Sequence, residues 1–232
     1  MKVVAIIPAG GSGKRCGGKL PKQYRKVAGK EILAYTLQIF EESKYINQII
    51  VAVAGEYRNV PPRLQRKYKF STPIITVSGG KERQDSVYNS LSHFSLGDDD
   101  LVVVHDSVRP LLQQMTLKLA IETAKEKGTA VVALGMRDTI VRKTKCEYDY
   151  PDRSNTFSIQ TPQIFKYGIL VEAFKKANND GFRGTDESML VQRAGYSINL
   201  VEGSLINFKI TTEDDIKLMK HIISGSSSKK RR

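Results

Sequence analysis

Residues 3–7, Val-Val-Ala-Ile-Ile, run without a polar break into Pro8-Ala9-Gly10-Gly11-Ser12-Gly13-Lys14-Arg15. A buried strand ending in a glycine turn with two cations gathers backbone amides and positive charge at one point, the arrangement that receives polyphosphate. Lys22, in Pro21-Lys22-Gln23-Tyr24, follows within reach of the same turn. Spacing excludes two common glycine loops. The residue five before Gly13 is Pro8, and Arg15 stands where a P-loop carries its magnesium-binding hydroxyl. Gly11 and Gly13 match the first two glycines of a dinucleotide fingerprint, but Cys16 takes the third place, where helix–strand packing needs a small residue. Taken alone, the loop is also compatible with a tight basic turn that binds nothing.

The chain has 232 residues, 40% of them hydrophobic, enough for one large α/β domain or two small ones. No apolar run approaches the roughly 20 residues of a membrane span. The first residues lack a signal-peptide pattern, and Cys16 and Cys146 are too few and too far apart for a disulfide framework or a zinc site. These features lead us to expect a soluble, cytoplasmic protein with no metal site of its own. A net charge of +13 raises the question of nucleic acid. The charge is spread along the chain, however, apart from Lys-Lys-Arg-Arg at 229–232, and a cleft for a small anionic substrate accounts for it equally well.

Short apolar runs alternate with amphipathic segments. Strands are expected at 3–7, 48–53, 74–77, 101–104, 129–134 and 197–201, and helices near 31–43, 58–68, 83–94, 114–127, 166–178, 185–194 and 213–223. Val, Ile and Leu crowd both faces of four of these strands, which suits a parallel sheet covered by helices. The pattern predicts a single α/β domain over 1–223, a Rossmann-like, mostly parallel sheet with helices on both faces. Residues 136–158 break the rhythm with polar positions and a Tyr148-Asp149-Tyr150-Pro151 corner, and read as a hairpin arm standing off the sheet. An extended arm gains its ordering from a second subunit, or else is a mobile surface loop. Residues 224–232, serine-rich and then basic, read as a flexible tail.

Ligands of α/β sheets collect at the carboxyl ends of strands. Arg15 and Lys22 follow the first strand, and Ser78-Gly79-Gly80-Lys81-Glu82-Arg83-Gln84-Asp85-Ser86 follows the third. His105-Asp106-Ser107-Val108-Arg109-Pro110 follows the fourth, and Lys209 lies in Asn207-Phe208-Lys209-Ile210-Thr211. Taken singly, Asp106 and Arg109 could be only a local ion pair, His105 is better read as structural than catalytic, and Asp85 as a helix cap than a metal ligand. No nucleophile elbow, metal-spaced His pair or base-paired Cys is present. Cations and amides around phosphate are the means of direct phosphoryl or nucleotidyl transfer.

With these motifs in order, and with Arg137-Asp138-Thr139, Asp152-Arg153, Gln160-Thr161-Pro162-Gln163, Thr185-Asp186-Glu187 and Val201-Glu202-Gly203, the chain resembles the sugar-phosphate cytidylyltransferases over nearly all of residues 2–222. It is most similar to those whose acceptor is 2-C-methyl-D-erythritol 4-phosphate, in non-mevalonate isoprenoid synthesis. Enzymes acting on ribitol 5-phosphate share most of the motifs; the 185–187, 194–196 and 201–203 segments look more like the isoprenoid branch. The resemblance implies a nucleotidyltransferase fold and a division of labour. Ala9, Gly10, Gly11, Gly13, Gly80, Ser86 and Ser107 would hold CTP, and Arg15, Lys22 and Lys209 would stabilise charge at the α-phosphorus. Asp106, Arg109, Thr161 and Thr185 would contact the acceptor, joined by Thr139 and Arg153 from a partner's arm in a homodimer. Magnesium would bridge the triphosphate. Ser107 stands where the family usually has Ala, Cys16 where a larger apolar residue is common, and Phe208 in place of Ile; these could tune packing. The readings from other classes are a basic nucleic-acid-binding protein working through residues 224–232, and a catalytically silent nucleotide sensor.

Overall fold

Strands that are apolar on both faces belong in the middle of a covered sheet, and residues 3–8, 48–53 and 101–104 lie there. The computed structural model describes residues 1–11, 20–145 and 147–229, with side chains followed to residue 225. In chain order the elements are β1 (Val3–Pro8), β2 (Lys26–Val27), β3 (Lys30–Glu31), α1 (Ile32–Glu41), β4 (Gln48–Val53), α2 (Val60–Tyr68), β5 (Ile74–Ser78), α3 (Arg83–Leu91) and β6 (Leu101–Val104). There follow α4 (Gln114–Lys127), β7 (Thr129–Gly135), β8 (Arg142–Lys143), β9 (Tyr148–Asp149), β10 (Phe157–Lys166), α5 (Tyr167–Asn179), α6 (Glu187–Arg193), β11 (Leu200–Glu202) and α7 (Glu213–Lys229).

The main sheet has seven strands in the order β11-β7-β10-β6-β1-β4-β5. β10 alone runs antiparallel, between β6 and β7. In the central register Ile6 lies opposite both Ile50 and Val104. Alternate residues serve opposite layers, as the two-residue period of a strand requires. Ala5, Ile49 and Val103 pack with Leu37, Phe40, Leu64 and Ile121 of α1, α2 and α4. Ile6, Val102 and Phe165 pack with Val87, Phe174 and Leu190 of α3, α5 and α6. Met219 of α7 closes a smaller cluster with Val27, Ile32, Val108 and Ile210. From β1 the chain builds outward through β4 and β5, then returns to β6 on the other side of β1. That reversal opens a crevice at the carboxyl ends of β1 and β6.

Two elements differ from the expected pattern. β10 was not expected, because Pro162 cannot donate to a ladder and demotes a strand reading. The structure places Pro162 at a register shift between Ile159 and Gln163, where its missing donor costs no ladder bond. The last helix runs past 223 to Lys229, into the stretch set aside as a tail. β8 and β9 pair in a separate two-stranded sheet, the hairpin expected within 136–158. Among the described residues, no helix is long and apolar enough to cross a membrane.

Candidate active site

The glycine turn is held from below. Ala9 N–H donates to the Ala52 carbonyl at 2.7 Å, keeping the chain on the edge of β4 past the end of β1. Gln23 Nε2 donates to the carbonyls of Ala9 and Gly11, at 2.7 and 2.8 Å, and the Tyr24 hydroxyl donates to Ala9 at 3.1 Å. Gln23 is buried, so its amide must find such partners. These bonds staple the short helical turn Lys22–Tyr24 to the root of the glycine turn and set Lys22 on the cavity wall. The second glycine turn is ordered by Ser86, whose hydroxyl accepts from Gly80 N–H and donates to the Glu82 carbonyl, both at 3.0 Å. Asp85 is a helix cap, as expected: it forms a capping box with Glu82 at the start of α3.

Asp106, at the end of β6, is the electrostatic centre. Its Oδ1 accepts from Arg83 Nε at 3.0 Å, while Oδ2 meets Arg109 Nε at 3.4 Å and Lys209 Nζ at 3.0 Å. Burial pushes the carboxyl up, but Arg83, then Lys209 and Arg109, outweigh it and hold Asp106 well below the usual carboxylate range. The Asp106 N–H donates to Thr161 Oγ1 at 3.1 Å, and Thr161 Oγ1 lies 3.0 Å from His105 Nδ1. His105 Nε2 lies 3.0 Å from the Arg109 carbonyl, which can only accept, so Nε2 carries the proton and Nδ1 accepts from Thr161. Burial lowers the imidazole to about 4. This buried threonine–imidazole pair is therefore a neutral scaffold. It is too weak a base for covalent catalysis, in keeping with the structural reading of His105.

Two cavities meet at this carboxylate. One, of about 360 Å³, is lined by Gly10, Gly11, Lys22, Gly80, Ser86 and Ser107. The other, of about 660 Å³, is lined by Gln160, Thr161, Gln163, Thr185 and Arg109. Arg83, Asp106 and Lys209 border both. Of the residues expected at the nucleotide, Gly10, Gly11, Gly80, Ser86 and Ser107 line the first chamber; of those expected at the acceptor, Arg109, Thr161 and Thr185 line the second and Asp106 lines both. Ala9 lies beneath the first chamber, its carbonyl committed to Gln23 and Tyr24. Thr139 and Arg153 sit on the arm and line neither cavity; Arg153 Nη1 donates to the Arg137 carbonyl at 3.3 Å. Gly13, Arg15 and Cys16 lie outside the described residues, as do Cys146 and residues 230–232. Among the described residues no group of three His, Cys, Asp or Glu converges as a metal site.

Sequence reasoning missed Gln23, Arg83 and Glu187. All three stand inside motifs already singled out, and the charge of Arg83 at a strand end was a usable signal. Its pairing with Glu187, 104 residues further on, was not readable without the fold.

A switch-point crevice with amides and cations in one chamber, a charged second chamber beside it and, among the described residues, no activated nucleophile between them is the arrangement of a nucleotidyltransferase. A family model described as 2-C-methyl-D-erythritol 4-phosphate cytidylyltransferase matches residues 3–225. The protein of that name from Clostridium perfringens is 38% identical over 225 residues, covering 96% of this chain and 99% of the relative. That from Geotalea uraniireducens is 37% identical over 233 residues, covering 99% and 100%. The crystal structure of the Thermus thermophilus protein of that name superposes with a TM-score of 0.79 at 31% identity, covering 96% of this chain and 98% of that one. The Francisella tularensis structure gives 0.80 at 32% identity, covering 94% and 98%. The chain belongs to the 2-C-methyl-D-erythritol 4-phosphate cytidylyltransferase family.

Proposed function

We propose that the chain transfers CMP from CTP directly to 2-C-methyl-D-erythritol 4-phosphate, releasing pyrophosphate and the CDP-methylerythritol intermediate of isoprenoid synthesis. One observation carries this reading: two adjoining chambers share a wall of Arg83, Asp106 and Lys209, with no activated nucleophile between them among the described residues. CTP takes the smaller chamber, its phosphates against the turns of Gly10, Gly11 and Gly80, flanked by Ser86 and Ser107. The acceptor takes the larger, against Asp106, Arg109, Thr161 and Thr185. An oxygen of the acceptor phosphate attacks the α-phosphorus in line. The bond from that phosphorus to the bridging oxygen breaks, and pyrophosphate leaves with the electron pair. The attacking oxygen is already ionised, so no general base is needed. Lys22 and Lys209, with Arg15, stabilise the charge that grows on the equatorial oxygens.

The described residues supply no metal-ligand set. Magnesium would enter on the triphosphate, where it would neutralise phosphate charge, and no protein carboxylate is assigned to it. The placement of Thr139 and Arg153 on the arm, away from their own chambers, supports a homodimer in which each arm completes the partner's acceptor site. The use of CTP is compatible with the expected cytoplasmic location.

The test is pyrophosphate release with CTP and magnesium, offering 2-C-methyl-D-erythritol 4-phosphate and ribitol 5-phosphate separately. Clear preference for the former is expected. Preference for ribitol 5-phosphate would move the protein to polyol-phosphate chemistry, and silence with both would remove the mechanism.

A further inference from the structure

Arg83 enters the common wall from the first turn of α3, just after the turn that carries Gly80. Its Nε donates to Asp106 Oδ1 at 3.0 Å, and its Nη1 reaches Glu187 Oε1 and Oε2 at 2.8 and 2.9 Å. Glu187 is buried and opens α6, two residues after Thr185 on the rim of the larger chamber. One guanidinium thus joins the nucleotide turn, the end of a central strand and the acceptor rim. The other two cations on Asp106 both reach Oδ2. Arg83 is the cation on Oδ1 among the described residues, and with it both carboxylate oxygens are held.

Lys209 borders both chambers, so a turn of the Asp106 carboxylate would also displace a cation facing both substrates. A lysine could meet one of the two carboxylates that Arg83 bridges; a planar fork meets both at once. Arg83 Nη2 is buried and has no hydrogen-bond partner among the described residues.

We propose that Arg83 is a positioning residue that fixes the Asp106 carboxylate for the acceptor. The inference rests on the two-chamber reading above. It is tested by two-substrate kinetics of Arg83→Lys, which keeps the charge and removes the fork. The acceptor KM should rise on the order of tenfold while the CTP KM stays within about twofold. In an Asp106→Asn background, adding Arg83→Lys should change the acceptor KM by less than about twofold, since Arg83 acts through that carboxylate.

Glu187→Gln guards against a mere folding defect: it keeps size, leaves the Arg83–Asp106 bond, and should raise the acceptor KM by less than Arg83→Lys does. An unchanged acceptor KM in Arg83→Lys overturns the proposal, and so does a fully multiplicative effect beside Asp106→Asn. Lowered melting temperatures with both KM values rising together mark a structural role and overturn it too. An inactive wild-type enzyme would instead overturn the functional reading.

Discussion

A charge that stays put under an incoming anion needs surroundings that hold both its ionisation and its direction, and Asp106 has both. The scaffold beneath it is His105, wedged between Thr161 and the Arg109 carbonyl and edge-on to Phe40. Because burial lowers its imidazole to about 4, the unfolded chain takes up that proton first, near 6.5. The His105 contribution to stability is therefore complete above about pH 6.5 and is lost as pH falls towards 4, amounting to about 3 kcal/mol at the lower end. Nitrogen-detected NMR should find an imidazole protonated at Nε2 that does not titrate above about pH 5; titration near 6.5 would contradict the buried network. A second residue-scale prediction separates the lysines. Lys22 borders only the smaller chamber, whereas Lys209 borders both and pairs with Asp106. Lys22→Ala should lower turnover on the order of 100-fold with the acceptor KM unchanged. Lys209→Ala should lower turnover and also raise the acceptor KM, a difference that two-substrate kinetics reads directly. Lys22, Asp106, Arg109 and Lys209 are visible in the sequence as charges at strand ends. What the sequence hides is which oxygen of Asp106 each cation takes, because that depends on the sheet bringing residues 83, 106 and 209 together.

At the scale of elements, the second glycine turn leaves no room for a side chain. A Cβ on Gly80 would lie 2.1 Å from Asp85 Cβ and 2.8 Å from the Asp85 carbonyl carbon. That contact is with the backbone of the first turn of α3, so Gly80→Ala must open the Glu82–Asp85 capping box at a cost of about 1 kcal/mol. Thermal unfolding should shift down by about 2–4 °C, and the CTP KM should rise because the turn's amides move. Gly55→Ala is the control: its Cβ meets nothing within 4 Å, and neither quantity should change. If Gly80→Ala matched that control in both, the turn would be looser than its contacts imply. Legibility also divides by element. Strands β4 and β6 match the expected bounds, since β-branched residues on both faces leave no competing reading. β10 escapes notice because Gln160, Thr161 and Pro162 interrupt its apolar pattern. The polar residues are satisfied from outside the ladder: Gln160 by Ser204 and Asn207, Thr161 by His105 and Asp106. A strand whose polar groups are paired by distant loops carries no local mark of being one.

At the scale of the whole molecule, both chambers adjoin Asp106 just past the carboxyl end of β6, while neither is lined by the two acceptor residues expected from the arm. Val141, Tyr148 and Tyr150 are 48, 65 and 67% exposed there, and β8 and β9 pair over only two residues each. So short a hairpin with so much apolar surface is marginal alone, and the homodimer proposed above would cover it. If each arm serves the other subunit, the two halves of a site come from different chains, and inactive variants should complement. Arg153→Ala chains keep a working body and lose the arm cation, while Lys22→Ala chains keep a working arm and lose the body's lysine. In a heterodimer, the Arg153→Ala body receives the intact arm of its partner, giving one complete site. The other site carries both defects. Random reassortment at equal concentrations makes half of the dimers mixed, so activity per chain should recover to about a quarter of wild type. Two affinity tags used in succession would isolate the mixed dimers, and pyrophosphate release would measure them. An arm that served its own subunit would place one defect in each site of the mixed dimer, and purification would bring no recovery. The same experiment therefore decides whether the functional unit is the chain or the pair.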